Sequence, residues 1–81
     1  MRVRLLLFAS YRDLAGRDEL VLDLPHDANA DDAVRALRAR GGPLTRIPER
    51  PVIAVNQTYA HLDTRLADGD EVALLPPVAG G

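Results

Sequence analysis

The chain predicts an α+β roll, a mixed sheet of four to five strands with one main helix laid across one face. Three features point to it. The apolar segments follow the order strand, strand, helix, strand, short strand, strand. The one long helical pattern carries a single apolar stripe, Ala30, Ala33, Val34 and Leu37, so it covers something on one side only. The first and last strands each have an apolar face, Val3, Leu5 and Leu7 in one and Val72 and Leu74 in the other.

Residues 2 to 8 alternate as a strand, with Arg4, Leu6 and Phe8 opposite the apolar set. Ser10 to Gly16 reads as a short helical turn, capped by Ser10 and stopped by Gly16. Leu20 to Leu24 is a second strand, ended by Pro25 and close enough to the first to pair antiparallel with it. The helix runs from about Ala30 to Arg40. Asn29 is its N-cap, Asp31 and Asp32 suit its positive end, and Arg38 and Arg40 suit its negative end. Asp31 and Arg35 form an i,i+4 pair, and Gly41-Gly42-Pro43 terminates the helix. The arginines of this helix read as its wet side.

A loop from Leu44 to Arg50 leads into Val52-Ile53-Ala54-Val55, a short buried strand. Asn56-Gln57 turns tightly into Thr58-Tyr59-Ala60, Leu66 plugs the core from a loop, and Asp68-Gly69-Asp70 is a turn. The last strand is Glu71 to Leu75. If it neighbours the first, Leu6, Phe8, Ala73 and Leu75 form an apolar patch on the helix-free face, near the point where the chain leaves the sheet. Such patches mark partner surfaces.

Composition narrows the functions. At 81 residues and 47% apolar content, the chain is one domain that stands on hydrophobic packing, with no cysteine for disulfide, nucleophile or metal. Ten basic and twelve acidic residues without a basic stripe argue against nucleic acid. Apolar runs such as Leu5-Leu6-Leu7-Phe8 are far too short to span a membrane, and no signal peptide is visible, so the expected location is cytoplasmic. His26 and His61 stand alone, and Asp68-Gly69-Asp70 lacks the further oxygens of a calcium loop, so no metal site is expected. All ten basic residues are arginine.

The reactive-looking group is the ending Pro76-Pro77-Val78-Ala79-Gly80-Gly81. Residues 1–75 are expected to form the folded domain and residues 76–81 a flexible tail. The prolines fix φ and aim it, and glycines without Cβ atoms let a narrow channel close on bare backbone.

Several blocks together resemble the small subunit of molybdopterin synthase, in the ThiS-like sulfur-carrier family. They are Leu7-Phe8-Ala9 followed by Arg12, Leu14, Ala15 and Gly16; Val55-Asn56-Gln57-Thr58; Leu66; Asp68 to Val72; and the terminal Pro76 to Gly81. The resemblance covers essentially the whole chain and implies a β-grasp, ubiquitin-like fold. It further implies that an E1-like adenylyltransferase uses ATP to adenylate the Gly81 carboxylate, and that a sulfur donor displaces AMP to leave a thiocarboxylate. Gly80 keeps the channel fit. The tail, with Val78 and Ala79, then enters the large synthase subunit of a heterotetramer and delivers sulfur to cyclic pyranopterin monophosphate, for the molybdenum cofactor. Phe8, Arg12, Tyr59 and Leu75 sit where similar proteins place partner contacts, although some relatives have an aromatic at the position of Leu75. The chain would thus be a non-catalytic, sulfur-donating subunit that binds no cofactor, ATP being used by its activating enzyme.

Other roles share these features. A carrier for thiamine thiazole or cysteine synthesis would use the same tail, but thiazole carriers are typically shorter and lack the Arg12 to Gly16 insert. A ubiquitin-like modifier would end on a substrate lysine, and a plain interaction module would leave its glycines inert.

Overall fold

Burial alternates strictly along the first strand. Val3, Leu5 and Leu7 are buried, while Arg2 and Arg4 face solvent. The computed structural model describes residues 1–77, so the expectations for Val78, Ala79, Gly80 and Gly81 lie outside the described residues. Its elements are β1 (Arg2–Leu7), α1 (Ala9–Ala15), β2 (Glu19–Asp23), α2 (Ala30–Arg38), a 3₁₀ turn (Gly42–Arg46), β3 (Val52–Val55), β4 (Thr58–Ala60) and β5 (Glu71–Leu75). They form a five-stranded sheet of order β2-β1-β5-β3-β4, with β1 and β5 parallel and the other pairs antiparallel. This is the mixed sheet and single main helix of a β-grasp roll.

The helix α2 forms where its sequence directs. Asn29 Oδ1 accepts from the Asp32 amide at 2.9 Å, and Asp32 Oδ2 accepts from the Asn29 amide at 2.9 Å, a reciprocal capping box that satisfies two end donors. Ala30, Ala33, Val34 and Leu37 are fully buried against the sheet, and Arg35 reaches Asp31 at 2.9 Å on the outer side. The helix ends at Arg38, before Arg40. Gly41 and Gly42 take φ of +81° and +59°, values that a Cβ disfavours, and swing the chain into the 3₁₀ turn. The β3–β4 hairpin turns on Asn56 and Gln57, both at positive φ as a two-residue type I′ connection requires. Asn56 is tied into the sheet, donating to Asp70 Oδ1 and accepting from the Glu71 amide, each at 3.0 Å.

Three expectations change. Ser10 is not the cap of α1. Phe8 occupies that position without a side-chain hydrogen bond, and Ala9 enters the helix at φ +47°. The stretch taken as a loop from Leu44 to Arg50 begins within the 3₁₀ turn, and its Ile47 is fully buried. Arg38 is not simply solvated. Its Nε donates to the Ile47 carbonyl at 2.8 Å and thereby pins that segment to α2. Leu66 plugs the core from its loop as expected, and Tyr11 joins the core from α1.

Two substitutions test this account. Ile47→Ala should lower the unfolding free energy by about 2–5 kcal/mol, since it empties a fully buried site. Asn29→Ala should cost about 1 kcal/mol through the lost cap. Urea denaturation monitored by circular dichroism measures both.

Candidate functional site

The helix-free face of the sheet follows from strand register. Leu6 pairs with Ala73, Ala73 with Ala54 and Ala54 with Tyr59, giving one row of apolar side chains across four strands. The next row pairs Leu75 with Val52. Phe8 lies one residue beyond the Leu7–Leu74 pair and keeps an extended backbone, with φ −120° and ψ 153°, so the alternation carries its ring to this face beside Leu75. Phe8 is 45% exposed, Val52 53% and Tyr59 77%, while Leu6 and Leu75 are half-buried. Large apolar groups concentrated on one face of so small a chain are the kind of surface that partners cover.

The patch has a charged border. The row on the side away from Leu75 pairs Glu71 with Arg4 and Arg4 with Val21. Arg4 reaches Glu19 at 3.4 Å and Glu71 at 3.3 Å, and Arg2 binds Asp23 at 3.0 Å. The hydrogen bond and charge of Arg2 hold the Asp23 carboxyl below its ordinary range. These exposed pairs add little stability, and they put charge into a row whose outer member, Val21, is a further exposed apolar side chain.

The other end of the patch is where the chain leaves. The parallel β1 and β5 both finish there, so Phe8, Leu75 and the half-buried Pro76 are neighbours, followed by the exposed Pro77. Arg12, on α1, lines one depression with Leu6, Leu7, Phe8, Asp18 and Glu19. Phe8, Leu75, Pro76 and Pro77 therefore lie at one end, Arg12 stands by Phe8 on the β2 side of β1, and Tyr59 is at the far edge of the sheet.

Val52 is the addition that the sequence reading missed, having placed its whole strand in the core. Its i,i+2 spacing from Ala54, opposite Ile53 and Val55, was the available signal. A second, polar groove runs along α2 and includes Arg35, Arg38, Glu49, Arg50 and His61, where Asp31–Arg35 and Arg38–Glu49 pair internally. Among the described residues no group of three or more His, Cys, Asp or Glu side chains could hold a metal ion, and no helix is long and apolar enough to cross a membrane.

The ThiS family pattern matches residues 5–81. The molybdopterin synthase sulfur carrier subunit of Escherichia coli K12 is 40% identical over 88 residues, covering 98% of this chain and 99% of the relative. Among solved structures, small archaeal modifier protein 1 (SAMP1) of Haloferax volcanii superposes with a TM-score of 0.88 at 31% identity, covering 100% of both chains. A chain in the complex of subunits 1 and 2 of the molybdopterin-converting factor from Helicobacter pylori gives a TM-score of 0.69 at 29% identity, again over 100% of both.

Phe8→Asp should leave the fold intact, changing stability by about 0.5 kcal/mol or less. The ring is half in solvent, and aspartate is a good N-cap at the position Phe8 holds. A cooperative thermal transition close to that of the parent is the expected result. Tyr11 makes a contrasting pH prediction. Burial raises its phenol above the ordinary value of 10.0, so the folded chain holds the proton more tightly than the unfolded one. Stability should be unaffected by this group below about pH 10 and fall as pH rises beyond it, a loss that Tyr11→Phe removes in alkaline unfolding curves.

Proposed function

The chain belongs to the ThiS family, and on that premise we propose that it is the sulfur-carrier small subunit of a molybdopterin synthase. The supporting observation is the match to a sulfur carrier subunit over 98% of this chain, beside a ThiS family match that runs to Gly81, on a chain whose apolar sheet face borders the exit of that tail.

A carboxylate is a poor electrophile. In the proposed cycle an E1-like adenylyltransferase joins the Gly81 carboxylate to the α-phosphate of ATP, and pyrophosphate leaves. A sulfur donor then attacks the acyl carbon, AMP leaves, and a thiocarboxylate remains. The tail enters the large synthase subunit, its sulfur bonds to cyclic pyranopterin monophosphate, and water cleaves the acyl–sulfur bond so that Gly81 returns as a carboxylate. ATP and pterin are bound by the partners. The carrier itself contributes a reactive end, a directed exit at Pro76-Pro77, and a docking face formed by Phe8, Arg12, Tyr59, Leu75 and Val52.

The likeness to small archaeal modifier protein 1 favours a second reading, a ubiquitin-like modifier whose activated tail passes to a lysine amine on another protein. The two readings diverge after activation. A modifier ends as a stable amide on its target, whereas a carrier is released unchanged for another cycle.

Incubation with the activating enzyme, ATP and a sulfur source should raise the intact mass by one sulfur-for-oxygen exchange, and deletion of Gly81 should abolish the shift. A shift that persists in the truncated chain would exclude the C-terminal site. Phe8→Asp should weaken binding to the large subunit by about tenfold or more, because a carboxylate must be desolvated against an apolar contact. Titration calorimetry reads that loss. When large subunit and pterin precursor are added, the thiocarboxylate form should return to its original mass as dithiolene product appears. Recovery mainly as covalent conjugates, without pterin product, would assign the modifier role instead.

A further inference from the structure

β2 is an outer strand of the sheet, and its bonds to β1 define its free side. The Met1 amine donates to the Leu24 carbonyl at 2.7 Å, and the Leu24 amide donates to the Met1 carbonyl at 2.8 Å. At the other end, the Leu7 amide donates to the Asp18 carbonyl at 2.9 Å. In an antiparallel ladder such pairs recur at every second residue. Leu20 and Leu22 therefore bond to β1, while Glu19, Val21 and Asp23 turn their N–H and C=O groups outward. The Val21 carbonyl is taken by a side chain from elsewhere: Arg40, just beyond α2, donates to it from Nη2 at 3.1 Å. Among the described residues no carboxylate pairs with Arg40.

This edge lacks the usual steric barriers to strand pairing. It has no proline, its register against β1 is unbroken, and the Val21 side chain at its centre is 45% exposed. What remains is charge, and the charge has a sign. Glu19, Val21 and Asp23 share the helix-free face, so an antiparallel strand added there sets residues directly opposite them, about 5 Å away. Arg4 and Arg2, which pair with Glu19 and Asp23, are rooted one strand further in, about 10 Å from those positions. Arg4 is also divided between Glu19 and Glu71. The added strand meets carboxylates first. The same register disfavours a second copy of this chain, because β2 against β2 centred on Val21 opposes Glu19 to the other copy's Asp23.

We propose that the β2 edge is a strand-addition site for an extended segment of another protein, whose inward face reads basic, apolar, basic, with Arg40 as a displaceable latch. The apolar residue packs on Val21, the basic residues pair with Glu19 and Asp23, and the incoming amide takes the Val21 carbonyl from Arg40. Main-chain bonds hold the segment and the side chains select it. β1 lies between this edge and β5, so the site is separate from the face around Leu75 and independent of the tail.

The probe is a backbone-cyclised hairpin peptide whose outer strand reads Lys-Thr-Val-Thr-Lys, with a twin carrying Glu in place of both Lys. Cyclisation limits the ordering cost of binding. In proton–nitrogen NMR titrations, the Lys peptide should shift the Glu19, Val21 and Asp23 amides and slow their hydrogen exchange. The Leu20 and Leu22 amides, already bonded to β1, should keep their exchange rates. Side-chain contact alone does not produce that alternation. The Glu twin should bind at least about tenfold more weakly. Arg40→Ala should bind the Lys peptide about two- to tenfold more tightly, since no bond to the carbonyl has to be displaced. Val21→Pro, whose lost amide makes no bond to β1, should keep a cooperative thermal transition and lose binding. If that variant does not fold, Glu19→Gln combined with Asp23→Asn reads the site instead, and should erase the difference between the twins. Equal affinity of the twins for the parent, or no alternating pattern at millimolar peptide, would overturn the proposal. So would sedimentation of the parent as a dimer whose β2 amides are protected in that pattern, which would assign the edge to a second copy.

Discussion

The parallel pairing of β1 with β5 is the contact on which the rest of the molecule depends. It sets Leu5 beside Val72 and Leu7 beside Leu74, joining strands from opposite ends of the chain at the centre of the sheet. Closing so long a loop costs chain entropy, although that cost grows only slowly with length. The return is a row of fully buried side chains, Val3, Leu5, Leu7, Val72 and Leu74, against which α2 lays Val34 and Leu37. Because the two strands run in the same direction, they also end together. That places Phe8 beside Leu75 and puts the exit of the tail at the edge of the apolar face.

A strand has only two sides, and in β1 and β5 both are used. One side packs the core. The other carries Leu6, Phe8, Ala73 and Leu75, of which Ala73 is buried among its neighbours, Leu6 and Leu75 are half-buried and Phe8 is exposed. The small residues Ala54 and Ala73 at the middle of this face keep it low, while Phe8 and Tyr59 stand up at its margins. A partner entering between those rings meets a shallow apolar floor. The Arg4, Glu19 and Glu71 cluster closes the side away from the tail with paired charges that resist burial. The face thus has an orientation as well as an area.

Much of this was legible in the sequence because period-two and period-3.6 patterns are local. The stripe Ala30, Ala33, Val34, Leu37 and its Asn29 cap identified α2, and the two apolar faces of the terminal strands led to the patch. The errors have physical causes. Val52-Ile53-Ala54-Val55 is apolar throughout, and an unbroken apolar run does not say which side faces solvent. Register against β5 decides that, and it places Val52 outside. Ile47 is an isolated apolar residue between Arg46 and Pro48, so only tertiary contact reveals its burial. Arg38 resembles any other arginine at a helix end until the chain folds back and offers it the Ile47 carbonyl. Ser10 has the right chemistry for a cap but lies one residue inside a helix that starts at Ala9. In the candidate site, the residues at the tail exit could be anticipated from the ends of strands, whereas the place of Val52 beside Leu75 requires the β3–β5 pairing.

In the proposed carrier role, the β1–β5 pairing would make docking and delivery a single event. The reactive carbon then lies a few residues beyond Leu75, and the chain reaches it through Pro76 and Pro77, whose φ angles are fixed. A partner that binds across Phe8, Val52 and Leu75 therefore receives the tail from a defined point, without searching for it. Tethering of this kind converts a bimolecular encounter into an intramolecular one, with an effective concentration set by the short linker.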